Sequence, residues 1–389
     1  MHLSRRGRRL LTWIPLSALV LAATATAPIM AHRFGPDHTL TRAPAAARSI
    51  TILAAGDILV HPPTWQQAQR DAAPGEGYNF RPLLADVRPV ITDADLALCH
   101  MEAPMGPGDP KDFPRFNAPP PLAHDVKWTG FDGCSTASNH SLDQGPQGVT
   151  ANLTALDGAG LAHTGTARSV AEAGQARIYT VHGVKVGHLS YAYGLNAGTS
   201  LPADKPWMAN LFNLTAILIQ AHLLKQQGAA IVVLSAHWGI ERQHQPNPMQ
   251  INGAAALLAS PDIDLIVGHH AHVVQPMEKI NGKWVAYGVG NLLARHDFPI
   301  PDNKEGFLPR ITFTETAAGT WTATRAEAIP IWLSLEPEIS VVNLPATMTR
   351  MSDADRRRTK YEAAFHRISK YLNERGAVNA GLQILGPAG

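Results

Sequence analysis

Five short segments of this sequence carry side chains that are able to bind a metal ion or move a proton. They span residues 54–57, 98–102, 138–140, 236–239 and 268–272, and each closes a run of apolar residues. Carboxylate and amide oxygens suit hard ions, whereas imidazole nitrogens suit zinc, iron and manganese. The mixed set therefore predicts a divalent metal site for Mn, Zn, Fe or Mg. The candidate ligands are Asp57, Glu102, Asn139, His237, His269, His270 and His272.

The division of roles among these ligands follows from what two metal ions need. A pair of ions about 4 Å apart requires a bridging carboxylate and further ligands on both sides. The carboxylates would come from Asp57 and Glu102 and an amide oxygen from Asn139, with the histidines supplying nitrogen. Because side chains alternate along an extended strand end, His270 and His272 are expected to face the same ion.

A proton donor and substrate contacts are predicted beside the ligands. His140 would protonate a leaving oxygen, and Asp143, three residues later, would orient its ring. Arg115 and Lys111 are further cations able to clamp a polyanion. Trp238 fits packing against a sheet edge as well as substrate binding. The candidate substrate contacts are Trp238, Glu241, Arg242 and Asn291.

The elements that must position these side chains indicate an α/β protein. Apolar runs of strand length span residues 49–55, 95–98, 133–136, 230–235, 263–267 and 284–287, and helical patterns span 80–91, 146–158, 211–227 and 249–259. Their alternation predicts an α/β sheet. Residues 177–192 alternate around His182-Gly183, which predicts an antiparallel hairpin. Because catalytic groups in open α/β sheets collect at the carboxyl ends of strands, we expect the five segments to converge.

Composition and the first fifty residues restrict the class of protein. The 389-residue chain carries 33 Lys and Arg against 31 Asp and Glu. It therefore has no excess of basic residues of the kind that would indicate nucleic acid as a partner. Four arginines between residues 5 and 9 precede an apolar run over residues 10–30. This pattern predicts a signal peptide or membrane anchor over residues 1–31, followed by a linker over residues 32–48. We expect an exported protein at the cell surface, membrane-anchored or secreted.

The remaining domain boundaries are predicted from the point in the sequence where the segments with candidate site residues end. The main domain is predicted over residues 49–320. Residues 353–376 have helical character with Ser352 as the N-cap, so residues 321–389 are predicted to be a C-terminal extension whose terminal helix packs on the domain.

The two cysteines of the chain, Cys99 and Cys134, each end a predicted strand. If those strands are neighbours, the thiols are placed for a disulfide. Two buried thiols that pack as small hydrophobic groups fit the sequence equally well.

Six segments in order carry a resemblance to a known family. They are GDIL (56–59), HMEAP (100–104), SNHSLDQG (138–145), HWGIE (237–241), GHHAHVVQ (268–275) and YGVGN (287–291). Over residues 50–295 the chain resembles the CapA family of poly-γ-glutamate capsule-synthesis proteins. The resemblance implies a calcineurin-like metallophosphoesterase fold, with mixed β-sheets flanked by helices in a four-layer αββα sandwich. It also implies a role in the synthesis, export or processing of a poly-γ-glutamate-type polymer, with a membrane polymer-synthase complex as a partner.

This chain departs from the family pattern at positions that bear on the chemistry. The family usually has asparagine where this chain has His100, and tyrosine where it has Arg242. Metallophosphoesterases begin with Asp-x-His, whereas Asp57 is followed by Ile58 and Leu59, so the first metal would lack its usual histidine. Two alternatives therefore stay open: a secreted metal-dependent phosphodiesterase or phosphatase acting on a phosphoester, and a non-catalytic scaffold that binds the polymer.

Overall fold

The computed structural model describes residues 47–296, 301–317 and 319–387. The predicted export segment (1–31) and most of the predicted linker (32–48) lie outside these residues. Within the described ranges, none of the helices combines the length and the hydropathy that crossing a membrane requires.

The described residues form fifteen β-strands, numbered here in chain order. They are β1 (Ser49–Leu59), β2 (Leu96–Met101), β3 (Gly133–Ser135), β4 (Ala162–Thr164), β5 (Ile178–Val181), β6 (Val184–Ala192), β7 (Ile231–His237), β8 (Leu265–His269), β9 (Met277–Ile280), β10 (Lys283–Ala286), β11 (Asn291–Ala294), β12 (Glu305–Glu315), β13 (Trp321–Ser334), β14 (Ser340–Asn343) and β15 (Leu382–Ile384).

Ten α-helices lie between the strands or follow them in the described residues. They are α1 (Pro62–Arg70), α2 (Arg81–Leu84), α3 (Arg88–Thr92), α4 (Pro121–Thr129), α5 (Gly145–Ala159), α6 (Val170–Ala173), α7 (Leu214–Gln226), α8 (Pro248–Ala259), α9 (Leu344–Arg350) and α10 (Arg358–Asn373). Local sequence defines their starts. At α8, for example, the Asn247 side chain accepts a hydrogen bond from the backbone N–H of Gln250, and the Gln250 side chain accepts one from the backbone N–H of Asn247.

The strands form two mixed sheets. The first has the order β14-β13-β12-β1-β2-β3-β4, with β11 beside β1 and β15 beside β13. Its strands β1 to β4 are parallel to one another, whereas β12, β13 and β14 pair antiparallel. The second has the order β5-β6-β7-β8-β10-β9, parallel from β6 to β10. The β5–β6 hairpin predicted around His182-Gly183 is confirmed.

Three hydrophobic clusters divide the interior into layers. The first, which includes Leu53 and Leu153, lies between the first sheet and helices α1 to α5. The second, which includes Ile52 and Val233, lies between the two sheets. The third, which includes Leu234, joins the second sheet to α7 and α8. The order is helix, sheet, sheet, helix, so the predicted four-layer αββα fold class is confirmed. Every residue of β7 is buried, as a parallel strand covered on both faces requires.

Two helix predictions are wrong in their limits. The helix predicted over residues 80–91 is two short helices, α2 and α3, because Pro89 has no N–H to donate and its ring clashes with the preceding turn. The terminal helix begins at Arg358 rather than after Ser352. Asp355 instead accepts hydrogen bonds from the backbone and guanidinium of Arg357, which forms a turn ahead of the helix.

The boundary predicted between residues 320 and 321 falls in the turn of the β12–β13 hairpin. The two strands pair from Glu305 opposite Trp332 to Glu315 opposite Trp321. Tyr361, one of the buried residues of α10, belongs to the cluster between the sheets. Residues after 321 thus contribute strands and a helix to the same sheet and core.

Cys99 and Cys134 form a disulfide, with Cα atoms 4.4 Å apart. They are register partners on the adjacent parallel strands β2 and β3. Of the two arrangements that the sequence allowed, the structure has the bridge. The same register places His100 opposite Ser135, one residue further along each strand.

Candidate metal centre

The predicted ligands meet where the carboxyl ends of the two sheets adjoin. From the first sheet come Asp57 in β1, Glu102 directly after β2 and Asn139 after β3. From the second sheet come His237 at the end of β7 and His269 at the end of β8, which are register partners. Parallel strands place their carboxyl ends on one edge, so residues distant in sequence converge.

The side chains form two groups in which the candidate ligand atoms lie within 4.8 Å of one another. One group is Asp57, His100 and His237, and the other is Glu102, His270 and His272. Glu102 lies between the two sides: its Oε1 is 3.5 Å from His272 Nε2 and 3.8 Å from His237 Nε2. This is the position that a bridging carboxylate requires.

Buried polar atoms in the centre have no hydrogen-bond partner among the described residues. They are both carboxylate oxygens of Glu102, His269 Nε2 and His270 Nδ1, while Asp57 Oδ1 has an ion-pair contact of 3.3 Å with His269 Nδ1. A buried polar atom without a partner is strongly unfavourable, and an unpartnered carboxylate more so. Oxygen and nitrogen donors left open side by side fit a divalent cation. The residues present therefore fit the metal site that the sequence predicts.

The electrostatics of the centre show how its charges balance without an ion. Burial raises the pKa of Glu102 well above its ordinary value. Burial acts on Asp57 in the same direction, but contacts with His269 and His272 outweigh it and hold the pKa of Asp57 well below its usual range. Burial would lower the pKa of His272, yet the carboxylates of Glu102 and Asp57 raise it to about 10. His272 thus serves as the internal counter-charge.

Backbone conformation at the centre departs from the predicted one. β1 does not end at Ala55 but continues to Leu59, with a register shift between Ala54 and Asp57. Gly56 is needed for close approach, because a Cβ there would lie 2.1 Å from the carbonyl oxygen of Gly290.

The clustered histidines are also not on an extended strand end. β8 stops at His269, and His270 and His272 have positive φ angles of 85° and 56°. The two still share one ligand group, but a left-handed turn brings them together rather than strand alternation. Such strained conformations in non-glycine residues are concentrated at functional sites.

His140 and Asp143 form the hydrogen-bonded pair that was predicted as an acid and its orienting group. His140 Nδ1 lies 2.6 Å from Asp143 Oδ2, and the Phe116 backbone N–H donates to the same oxygen. Asn196, which sequence reasoning missed, links this pair to the ligands. Its Oδ1 accepts from Asn139 Nδ2 at 2.8 Å, and its amide nitrogen lies 3.0 Å from His140 Nδ1.

A cavity of about 670 Å³ opens above the centre, and the buried Asn139 and His272 are among the residues that line it. Its wall includes a run of rings that the sequence analysis missed: Phe116 packs edge-on to His61, which contacts His296 at 4.8 Å. Burial lowers the pKa of His61 to about 3, so its ring is neutral at ordinary pH. No spacing signal marks these rings, because they come from three separate loops.

The predicted substrate contacts divide into two classes. Glu241 and Arg242 are exposed and line the cavity, as does Arg115. Of the two roles that the sequence allowed for Trp238, the structure has packing and not substrate contact: the side chain is fully buried, and its indole N–H donates to the carbonyl of Tyr287.

Asn291 is also not in the cavity wall. Its Oδ1 lies 2.9 Å from His272 Nδ1, and its amide nitrogen donates to the carbonyl oxygens of His272 and Asn303. Asn291 therefore orients a candidate ligand rather than contacting substrate, and it leaves His272 Nε2 directed to the centre.

Comparison with known proteins gives a family match and several relatives. Residues 51–296 match a family model described as bacterial capsule synthesis protein PGA_cap. The capsule biosynthesis protein CapA of Bacillus anthracis is 27% identical over 228 residues, which cover 56% of this chain and 54% of that protein. The PGA biosynthesis protein CapA of Bacillus subtilis (strain 168) is 31% identical over 173 residues, which cover 43% of this chain and 44% of that protein. The chain thus spans about half the length of these curated relatives.

The solved structure of the calcineurin-like phosphoesterase YfkN from Bacillus subtilis is similar to this one. It has a TM-score of 0.46 and 14% sequence identity, and the match covers 84% of this chain and 100% of that one.

We predict that Glu102→Gln removes the stabilisation that added metal gives without lowering the melting temperature of the metal-free protein. The buried Glu102 carboxylate has no hydrogen-bond partner, so neutralising it sacrifices no hydrogen bond but would remove the candidate bridging ligand. In the parent, Mn²⁺ or Zn²⁺ at a thousand times its Kd should add about 4 kcal/mol of stability. The measurement is thermal unfolding of chelator-treated protein with and without added metal.

Glu305→Gln is the matched control for that experiment, because Glu305 is an equally buried glutamate that is paired with Arg367 outside the centre. It should lower the melting temperature of the metal-free protein and leave the metal-induced increase intact. An undiminished metal-induced increase in Glu102→Gln would show that the bridging assignment is wrong.

Proposed function

The chain belongs to the bacterial capsule synthesis protein family, and on that basis we propose that it acts in the synthesis, export or processing of a poly-γ-glutamate-type capsule polymer through a metal-dependent hydrolytic site. One observation carries the proposal: buried carboxylates and imidazoles gather in two groups of candidate ligands, and Asn139 and His272 connect them to a cavity that is also lined by the exposed Arg115 and Arg242. The names of both Bacillus relatives, which refer to capsule and PGA biosynthesis, support the choice of polymer.

The residues that would hold a divalent ion have distinct positions around the centre. When bound, such an ion supplies Lewis-acid activation of the substrate and of water. The residues that would hold it are Asp57, Glu102, Asn139, His237, His270 and His272. The ion is Mn, Zn, Fe or Mg, given the mixture of oxygen and nitrogen donors.

His140 would provide the proton that a leaving group needs. It lines the cavity, and Asp143 holds its Nδ1, which leaves Nε2 for proton transfer. Asn196 binds both His140 and the ligand Asn139, so the acid and the ligand shell keep one relative position. Fixed geometry of this kind is what general acid catalysis requires.

The cavity rim matches an anionic chain with apolar spacing. Two rim segments, residues 113–115 and 240–242, each begin with an exposed apolar side chain and end with an arginine. Phe113 is 77% exposed and Ile240 45%, and both Arg115 and Arg242 line the cavity. Poly-γ-glutamate alternates carboxylates with methylene groups, which guanidinium and apolar side chains respectively bind.

A phosphoester is the second candidate substrate. The same two arginines favour it, since guanidinium groups bind phosphate oxygens in a bidentate manner. A scaffold that only binds polymer would use the rim without needing the His140–Asp143 pair. The proton-donor experiment below separates the three roles.

We also propose that the protein is exported and works at the cell surface, membrane-anchored or secreted, beside a membrane polymer-synthase complex. Arginines followed by an apolar run at residues 5–30 support export. The Cys99–Cys134 disulfide supports it independently, because structural disulfides persist in oxidising compartments outside the cytosol.

Replacing His140 tests its role as the proton donor. His140→Asn should lower kcat by about 100- to 10,000-fold while KM and metal content stay unchanged, since a general acid contributes to the reaction step and not to binding. The measurement is product release from poly-γ-glutamate and from an aryl phosphate by Mn²⁺-loaded protein.

His124→Asn is the control for that prediction, because His124 is exposed on α4 outside the cavity lining. It should behave like the parent. Turnover of the phosphate alone would assign the phosphoesterase role. Polymer binding without turnover of either substrate would contradict the hydrolytic proposal and leave the scaffold.

Replacing the two arginines of the cavity rim tests whether they bind the polymer. Arg115→Gln and Arg242→Gln should each weaken binding of poly-γ-glutamate about tenfold without changing metal affinity, because each removes a charge-assisted contact. The measurement is polymer affinity at two salt concentrations. Arg356→Gln changes an exposed arginine remote from the cavity and should bind normally. Equal affinity of all four proteins would rule out the rim as the polymer site.

The redox state of the two cysteines in cells tests export. In intact cells the two cysteines should be oxidised, so a thiol-reactive label added after denaturation should attach only when a reductant is present. The protein should also be recovered from the surface or extracellular fraction. Free thiols in freshly lysed, quenched cells, together with recovery in the cytosol, would contradict export.

A further inference from the structure

We propose that helix α10 positions Arg242 at the cavity rim by holding His244, two residues further along the same loop. This loop, called the rim loop here, covers residues 238–247 between β7 and α8. The inference rests on the proposed function, in which Arg242 contacts the substrate. It deepens that function by naming what holds the arginine in place.

The backbone conformation of Arg242 needs support from its surroundings. Its φ is 61°, in the left-handed region that residues other than glycine seldom adopt. Such a conformation persists only where neighbouring contacts fix it. The Arg242 backbone N–H donates to the carbonyl oxygen of Ala271 at 2.8 Å, and the residue lines the cavity. A rim loop that was released would let Arg242 return to an ordinary φ and turn its side chain elsewhere.

One side of the rim loop is bonded to the loop that follows β8. The side-chain amide of Gln275 donates to the carbonyl oxygen of Gln243 at 2.8 Å. His244 Nδ1 donates to the carbonyl oxygen of Val274 at 2.7 Å, since a carbonyl only accepts. Together with the bond from Arg242 to Ala271, these contacts join the two loops at three successive residues of the rim loop.

The other side of the rim loop is held from α10 and from the turn before β12. The His244 ring stacks on the ring of Tyr371, with centres 3.6 Å apart and planes 5° apart. His244 Nε2 lies 3.0 Å from Asp302 Oδ2. The Gln245 side chain donates to Glu374, which follows the last residue of α10. Both ring nitrogens and one face of His244 therefore have a partner.

These partners are themselves anchored in the core. Arg367 Nε lies 3.7 Å from Asp302 Oδ1 and donates to Glu305 Oε1 at 2.8 Å. Glu305 is fully buried in β12, and Tyr361 of α10 is part of the cluster between the sheets. The conformation of Arg242 is thus supported from the core and not by the rim loop alone.

The residues that hold the rim loop are separate from the residues that line the cavity. His244, Tyr371 and Asp302 are not part of the cavity lining, whereas Arg242 is. An effect of Tyr371 on substrate binding would therefore pass through Arg242. This makes Tyr371 and His244 positioning residues.

The direct test is hydrogen–deuterium exchange of polymer-free protein. Tyr371→Ala removes the stacked ring, so the Arg242 amide should exchange several-fold faster than in the parent, because its bond to Ala271 opens more often. Tyr371→Phe keeps the stack and should exchange like the parent. Unchanged exchange at Arg242 in Tyr371→Ala would overturn the inference.

The second test is a double-mutant cycle on poly-γ-glutamate affinity. Tyr371→Ala should weaken binding by at most about the tenfold loss expected of Arg242→Gln, because it acts through that arginine. The variant with both substitutions should bind like Arg242→Gln alone. Losses that add up, or full affinity in Tyr371→Ala, would contradict the proposal.

Phe365→Ala is the matched control. Phe365 is also a half-buried aromatic residue of α10, but it lies six positions before Tyr371 and therefore on another face of the helix. Its loss should lower stability and leave both the exchange of Arg242 and the polymer affinity unchanged. If the parent binds no polymer, the proposed substrate is wrong, and exchange in polymer-free protein still decides whether α10 holds Arg242.

Discussion

The rest of the structure depends on one constraint: the carboxylates of Asp57 and Glu102 are buried where the protein supplies too few donors. Both Glu102 oxygens have no hydrogen-bond partner in the described chain, and the closest ion-pair partner of Asp57 Oδ1 is His269 Nδ1. Neighbouring features follow from this. The charge on His272 offsets part of the negative potential, and Gly56 lets β1 approach the backbone of Gly290 closely enough to bring Asp57 into the group. A cation that completed the set would compensate this burial.

The two sheets contribute different kinds of donor to this centre. The first sheet and its loops provide the oxygens of Asp57, Glu102 and Asn139, and the second provides imidazole nitrogens. Because the donors come from opposite sides of the seam between the sheets, the seam itself is polar at this end. Its remaining length is filled by the apolar cluster that includes Ile52 and Val233. The candidate ligands and the apolar core thus occupy separate parts of the interface between the two sheets.

Much of the fold and the membership of the centre could be predicted from sequence, because both depend on local patterns. Apolar runs alternating with helical periodicity predicted the sheet, and residue types at strand ends predicted Asp57, Glu102 and His237 as neighbours. Properties that depend on long-range contacts could not be predicted. Nothing in the sequence distinguishes Trp238 as a core residue from Trp238 as a surface residue, or shows that Asn291 at the start of β11 contacts His272 in the loop after β8. The left-handed turn at His270 is equally invisible, since histidine has no strong preference for it.

The placement of the centre across the seam has a consequence for how long the protein lasts. An ion held by Asp57 and Glu102 on one side and by His237 and His272 on the other would be a reversible cross-link between two halves of the molecule. Opening of the seam, and with it access for proteases, would then require release of the ion. The lifetime of the folded protein would follow the supply of metal, so that metal scarcity would limit the amount of protein.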